Sequence, residues 1–402
     1  MIAKGYKNYN TLIISTLDKI SIFSKCRKAF LCEAFVLFLS IKGRINFLQL
    51  GRFGKFGEQR YRQQFEKPFP FLDFNKELVL SHGGERFAIA FDPSYISKSG
   101  KLTPGLGWYW SGCAGHAKRG LEIGGLAAID LDNHTAFHLE AVQTLIGDKE
   151  KMSLTDWYAN VIRERRETLC AISKYLVADA WFSKKPFADQ ITAINMHLVS
   201  RLRDDADLKY LYLGPATGGK GRPKKYAGKI GIANIDTDYF ELVEQNPEAT
   251  IYSAIVYSKS LKRNIRLAHV AYMGKKGKQT RKLYFCTDTK MGALDILDCY
   301  RSRFQIEFLY RDGKQFTGLT DSQARDENKL NFHFNASLTD INIAKVEHWL
   351  NIPKEVRKPF SMADIKTMNH NRLLLQRFID VFGINAHSTK NQNHVNELIY
   401  LS

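Results

Sequence analysis

Two short apolar runs in this chain each lead into an aspartate. Glu85 to Phe91 (ERFAIAF) precedes Asp92-Pro93, and Tyr175 to Ala178 (YLVA) precedes Asp179. A carboxylate at the end of a buried strand stands at the rim of a sheet, held rigidly yet open to solvent and to a cation. Either aspartate alone reads equally well as a turn former, because Asp bonds its own backbone in turns. A divalent-metal site needs a third carboxylate, and Glu307 supplies one. Tyr300, Arg303 and Lys314 surround it, and at 100° per residue the four fall within about 60° of one another on a helix. One stripe then carries a hydroxyl, a guanidinium, a carboxylate and an ammonium; the plainer reading is a solvated face of mixed charge. Ile296, Leu297, Phe304 and Phe308 are expected on the packing face of that helix, and Gly313 is expected to loosen its last turn before Lys314.

The surrounding elements must hold these groups in register. Residues 1 to about 80 read as basic helices, with apolar spacing through Leu31, Phe35, Val36 and Phe38 and again around Ile45, Leu48 and Leu50. Gly51 to Lys67 interleaves Arg and Lys with Phe and Tyr, which suits a small helical DNA-reading module and equally a helical cap. Pro93 is expected to stop the first strand, since Pro cannot continue a central strand. Leu121 to Ile129 and Thr135 to Val142 flank a turn-forming cluster, Asp130 to His134, and read as a hairpin. An amphipathic helix over Leu154 to Ser173, the strand leading to Asp179, a helix near Lys184 to Ile194 and a strand near His197 to Arg201 follow. Gly214 to Gly228 reads as a loop, and further strands over Thr250 to Tyr257 and Arg266 to Met273 form a β-rich stretch. After Leu294 the chain turns helical to about residue 382 and ends in a polar tail.

Of 402 residues, 59 are Lys or Arg against 41 Asp or Glu, a formal charge of +18, with a pI near 9.5. That excess points to a polyanionic partner, nucleic acid before an anionic membrane surface; a basic enzyme with solvated Lys faces is the alternative. The 44% hydrophobic content excludes a disordered chain. Six scattered cysteines form no C-x-x-C pair, so they read as reduced thiols of a cytoplasmic protein. Ala29 to Ile41 is too short for a bilayer span and contains Glu33.

The spacing Tyr300, two residues, Arg303, three residues, Glu307, six residues, Lys314 matches the Y-(2)-R-(3)-E-(6)-K signature of the DDE transposases of bacterial insertion sequences. Ala90-Phe91-Asp92 and Val177-Ala178-Asp179-Ala180-Trp181-Phe182 resemble the same family's first and second Asp motifs, so the resemblance runs from about residue 85 to 320. It implies an α/β fold: a ribonuclease H-like mixed sheet flanked by helices, interrupted by a β-rich insertion, with a helical N-terminal region. The expected division is 1–82 helical and DNA-binding, 83–203 first part of the core, 204–290 insertion, 291–385 second part of the core with C-terminal helices, and 386–402 polar tail. By the resemblance, Asp92, Asp179 and Glu307 hold two Mg²⁺ ions, with Mn²⁺ as a substitute, while Tyr300, Arg303 and Lys314 clamp DNA phosphates. It further implies cleavage at transposon ends, strand transfer into target double-stranded DNA, a homodimer in the DNA complex, and a cytoplasmic, nucleoid-associated protein with no membrane. A ribonuclease H-like nuclease that does not join DNA, and a domesticated DNA-binding protein that no longer catalyses, are the rival readings.

Weaker signals lie outside that pattern. Trp181 could stack on a displaced base or serve as a core residue, and Arg201 and Arg203 are placed for phosphate contact. Gly221-Arg222-Pro223-Lys224-Lys225 and the turn with Lys275, Lys276 and Lys278 each read as a minor-groove loop or a solvated charge run. Trp108-Tyr109-Trp110 reads as a packed loop in preference to a stacking platform, and His116, His134 and His138 as structural.

Overall fold

A computed structural model describes residues 2–20, 23–145, 152–215, 223–273, 279–357, 359–384, 394–395 and 397–400. Most of the polar tail, the Lys275–Lys278 turn, and Gly221 and Arg222 of the other basic run lie outside the described residues. Five helices open the chain: α1 (Ile2–Ile20), α2 (Lys25–Ser40), α3 (Phe47–Phe53), α4 (Glu58–Phe65) and α5 (Phe71–His82). Ser24 starts α2 by accepting from Arg27 N at 3.2 Å, and Asn46 starts α3 by accepting from Gln49 N at 3.0 Å, each satisfying a backbone donor that a helix start leaves unpaired. The aromatic residues of the basic segment turn inward: Phe65 packs on Phe332 at 4.2 Å between ring centres, and Arg62 lies over Phe47.

The strands are β1 (Phe87–Ser97), β2 (Gly107–Ser111), β3 (His116–Asp130), β4 (Thr135–Gln143), β5 (Tyr175–Val177), β6 (His197–Leu202), β7 (Leu208–Leu211), β8 (Tyr226–Lys229), β9 (Glu241–Gln245), β10 (Ala249–Ser258), β11 (Arg263–Met273) and β12 (Gln279–Cys286). They form one 12-stranded sheet in the order β2-β3-β1-β5-β6-β12-β11-β10-β7-β8, with β4 on β3 and β9 on β10. β1 runs antiparallel to β3 and parallel to β5, and β5 runs parallel to β6. Three antiparallel strands, then parallel strands joined through helices, are the ribonuclease H-like arrangement, and the molecule is a mixed α/β fold flanked by helices. The strands from β7 to β12 continue the same sheet, because β12 pairs directly with β6. Ala88 to Phe91 are all fully buried, which explains a continuous apolar run instead of an alternating one.

Three local expectations change. β1 does not stop at Asp92: it runs on through Pro93, which pairs with Gly124 of β3. On the other side β5 pairs only as far as Ala90, so the missing N–H of Pro93 lies where β1 has no β5 neighbour. The helix expected over Leu154 to Ser173 is two helices, α6 (Leu154–Glu164) and α7 (Arg166–Cys170), broken at Arg165. Trp108-Tyr109-Trp110 is not a packed loop but part of β2: the Tyr109 hydroxyl shares its one proton between Gly105 O and Thr144 O, at 2.9 and 3.1 Å, while Trp108 and Trp110 are 69% and 65% exposed.

Beyond α8 (Lys185–Ala193) and the sheet come α9 (Ala293–Ser302), α10 (Gln305–Gln315), α11 (Glu327–Asn351) and α12 (Met362–Phe382). α11 is buried along most of its length and carries polar residues inside the core. Asn335 bonds both N and O of Ala141, and Asn342 bonds both N and O of His138, so amide side chains lock the helix onto β4. Asn75 of α5 donates to Thr339 and accepts from Asn342, tying the N-terminal helices to the same element. Among the described residues, no helix is long and apolar enough to cross a membrane.

Candidate active site

Asp92, Asp179 and Glu307 come from three elements. Asp92 projects from β1 beyond the end of β5, Asp179 follows β5 directly, and Glu307 stands in the first turn of α10. The Asp179 carboxylate accepts from Trp181 N at 2.8 Å and its carbonyl accepts from Ser200 Oγ at 2.8 Å, fixing the turn after the strand. Burial pushes the Asp92 carboxyl up to about 7, against the pull of Arg303; the negative charges of Asp179 and Glu307 add to the rise and Lys314 opposes it. Asp179 and Glu307 therefore each bear electrostatically on Asp92 at the end of the sheet.

A guanidinium sits among them. Arg303 Nη1 is 3.7 Å from Asp92 Oδ1, and Arg303 Nη2 is 3.4 Å from Glu307 Oε1. Both separations exceed the ~2.7–2.9 Å of a tight charge-assisted bond, and Arg303 Nε is buried with no partner. Arg303 supplies a positive charge between Asp92 and Glu307, while committing firmly to neither. Hard carboxylate oxygens are the donors Mg²⁺ prefers, so the donor set fits a divalent cation that takes over this charge. As the side chains stand, no three acidic, His or Cys groups among the described residues are close enough to share an ion.

Tyr300, Arg303, Glu307 and Lys314 do not lie on one unbroken helix. α9 ends at Ser302, a turn passes through Arg303 and Phe304, and α10 begins at Gln305. Phe304 and Phe308 are 45% and 39% exposed and pack on each other, so they do not form the buried face expected of them; Ile296 and Leu297 do. Gly313 is buried, and a Cβ there would stand 2.9 Å from Leu338, so its role is close packing on α11, and α10 continues regularly through Lys314. Lys314 Nζ donates to Ser94 Oγ at 3.0 Å, two residues beyond Asp92 on β1. Arg303 lies over the Tyr300 ring at 5.9 Å, and burial raises the Tyr300 phenol, with Arg303 opposing and Asp179 adding. Arg201 pairs with Asp204 at 3.0 Å and reaches Tyr300 electrostatically. Trp181 is 42% exposed, with Lys184 Nζ 3.5 Å above its ring and Phe182 against its edge.

Sequence reasoning missed Tyr310 and Gly125. The buried Tyr310 hydroxyl donates to the Asp92 carbonyl, and its ring lies against Gly125, where a Cβ would stand 2.0 Å from the hydroxyl oxygen. The Gly124-Gly125 pair inside a strand was the available signal, since Gly in a strand marks a close approach of another element. His138 and His333 are fully buried structural histidines, bonded to Asn335 and to Gly318 O.

A family model described as Transposase DDE domain matches residues 134–343, just over half of the chain. The match takes in Asp179, Tyr300, Arg303, Glu307 and Lys314, whereas Asp92 lies before it and joins them by its position on β1. The chain matches no curated protein.

Proposed function

The chain belongs to the transposase DDE-domain family, and from that premise we propose that it cuts DNA at the ends of a mobile element and joins the freed ends to target DNA. The observation that carries this reading is one loosely held guanidinium, Arg303, between the carboxylates of Asp92 on β1 and Glu307 on α10, with Asp179 after β5 acting electrostatically on Asp92. Asp92, Asp179 and Glu307 would hold two Mg²⁺ ions, with Mn²⁺ as a substitute. Bound there, the ions would place positive charge beside the attacking and leaving oxygens of an in-line displacement at phosphorus.

The chain's own residues orient the DNA. Arg303 offers a planar fork of donors suited to two phosphate oxygens, and it is free to turn to them once its carboxylates are otherwise neutralised. Lys314, steadied by Ser94, contributes a point charge alongside, and Tyr300 offers a hydroxyl. Trp181 and Arg201 border the same centre and would contact the strand near the cut. Residues 1–82 are read as the part that recognises the ends, and the +18 charge suits double-stranded DNA as the partner, bound by a homodimer in the cytoplasm, at the nucleoid.

The test is incubation of purified protein with Mg²⁺ and a duplex carrying the element's terminal sequence beside a target plasmid. Cut ends together with end-to-plasmid joints support the reading. Cut ends alone point to a nuclease of the same fold, and binding without cleavage to a DNA-binding protein that no longer catalyses.

A further inference from the structure

Lys314 belongs to two sites. Its ammonium reaches Ser94 beside the carboxylates, and the same residue lines a cavity of about 360 Å³ at the C-terminal end of α10. At roughly 30 Å³ per water, that is room for about a dozen waters, enough for a hydrated phosphodiester. The loop between α2 and α3, the turn that follows α10, and α12 line this open cavity. Four basic side chains line it, Lys42, Arg44, Lys314 and Lys366, against a single acid, Asp321.

The site is built, not a chance gathering of surface lysines. Asp321 spends its carboxylate on Ile45 N at 2.8 Å, which pins the Lys42–Arg44 loop to the turn after α10. Gly318 in that turn has φ +71°, and a Cβ there would stand 2.8 Å from Ile45 Cβ, so the two segments meet with no room for a side chain. His333 of α11 holds the Gly318 carbonyl at 2.7 Å. Lys366 is buried, with its ammonium on the Phe38 carbonyl at 2.6 Å. Among the described residues no ion pair takes up the charge of Lys42 or Arg44. Burial pulls the Lys366 ammonium down to about 7, with Asp340 and Asp321 opposing, so the anion-attracting charge rests on the rigidly walled, uncommitted Lys42 and Arg44 together with Lys314.

We propose that this cavity holds a backbone phosphate of the DNA whose neighbouring phosphate lies at the carboxylates, so that the α2–α3 loop and the end of α10 grip one strand together. The choice of DNA over a free anion rests on the transposase reading and on Lys314, which makes the two sites continuous. It gives the N-terminal helices a direct part in placing the strand to be cut.

The test measures binding of a 40-base-pair duplex of arbitrary sequence, in EDTA so that no cleavage occurs, across a range of salt. Each phosphate contact contributes about −0.9 to the log–log slope. A Lys42→Ala/Arg44→Ala variant is expected to lose about one unit of slope and to bind about tenfold more weakly near 0.1 M salt. Thr367→Glu, which brings a negative charge to the cavity from α12, is expected to do the same. The double variant should keep the wild-type melting temperature, since Lys42 and Arg44 are exposed, and Thr367→Glu, at a half-buried position, is compared at temperatures below its own melt. An unchanged slope in either variant overturns the proposal, because cations acting outside the cavity would respond to the first change and not the second. Inorganic phosphate that stabilises wild type but not the double variant, with DNA slopes unchanged, would make this a free-anion site and also overturn it. Should wild type never cut DNA while both slopes shift, the transposase reading fails and the grip on DNA stands.

Discussion

The Arg303 guanidinium lies between Asp92 and Glu307, 3.7 Å from one carboxylate and 3.4 Å from the other. Such a group balances the charge of a site without locking it, and its removal and the removal of a carboxylate should differ in kind. Asp92→Asn, Asp179→Asn and Glu307→Gln should each halt cleavage while leaving duplex binding within a few-fold. Arg303→Lys keeps the charge but loses the fork, so it should retain metal binding and cleave about 10- to 100-fold more slowly, roughly 1.4–2.7 kcal/mol in the barrier. Single-turnover cleavage alongside Mn²⁺ binding checks this. Metal lost by Arg303→Lys and kept by Glu307→Gln would reverse the assigned roles.

Gly125 and Tyr310 form a second coupled pair. Gly125→Ala would drive a methyl into the Tyr310 hydroxyl, and the displaced α10 carries Glu307. We expect a lower melting temperature and cleavage reduced on the order of a hundredfold, since an ångström of misplacement has that effect. Tyr310→Phe should be the milder change, losing one hydrogen bond of about 1 kcal/mol. The double variant should recover part of what Gly125→Ala loses, because the nearest clashing atom is gone. Strict additivity of the two in melting temperature would count against the contact.

Two buried histidines give the fold an acid limit. Burial holds His138 near 3 and His333 near 4, each opposed by one hydrogen bond, whereas an unfolded histidine protonates at about 6.5. Between those values only the unfolded chain takes up the proton, so the stability each contributes is complete above about pH 6.5. It falls as the pH drops, by roughly 1.4 kcal/mol per unit for each histidine, until the folded value is reached. Denaturant unfolding at several pH values should show a shallower dependence between pH 6.5 and 4 in His138→Asn than in wild type. Equal slopes would mean that His138 titrates in the folded protein.

Neighbours on β2 should respond in opposite ways to truncation. Trp108→Ser and Trp110→Ser, at largely exposed positions, should change stability by no more than about 0.5 kcal/mol. Tyr109→Ala removes a buried ring bonded to Gly105 O and Thr144 O and should cost about 3–5 kcal/mol. Thermal melts of the three variants decide it.

These residues also show what the sequence made legible. The apolar runs before Asp92 and Asp179 were readable because strands buried on both faces lose their alternation, and the helices because their spacing repeats. The spacing from Tyr300 to Lys314 drew the right residues together but implied one straight helix. The break at Arg303–Phe304 carries no proline or glycine, so nothing local announces it, and the exposure of Phe304 and Phe308 follows from that break. Pro93 was read by the rule for central strands, and only the sheet shows that β5 has already ended beside it. Tyr310, like the cavity behind Lys314, depends on contacts between residues hundreds apart in the chain, which no periodicity records.

The direct pairing of β12 with β6 has a mechanical consequence. A module hung on flexible linkers can swing, or be cut away and leave its host intact. Here strands β7 to β12 are planks of the same floor, joined edge to edge with β6 beside Asp179. Excising them would leave β6 with a bare row of amide and carbonyl groups along the middle of the molecule, the kind of raw edge on which one chain sticks to the next. A shortened form of this protein would be lost to self-association before any question of chemistry arose.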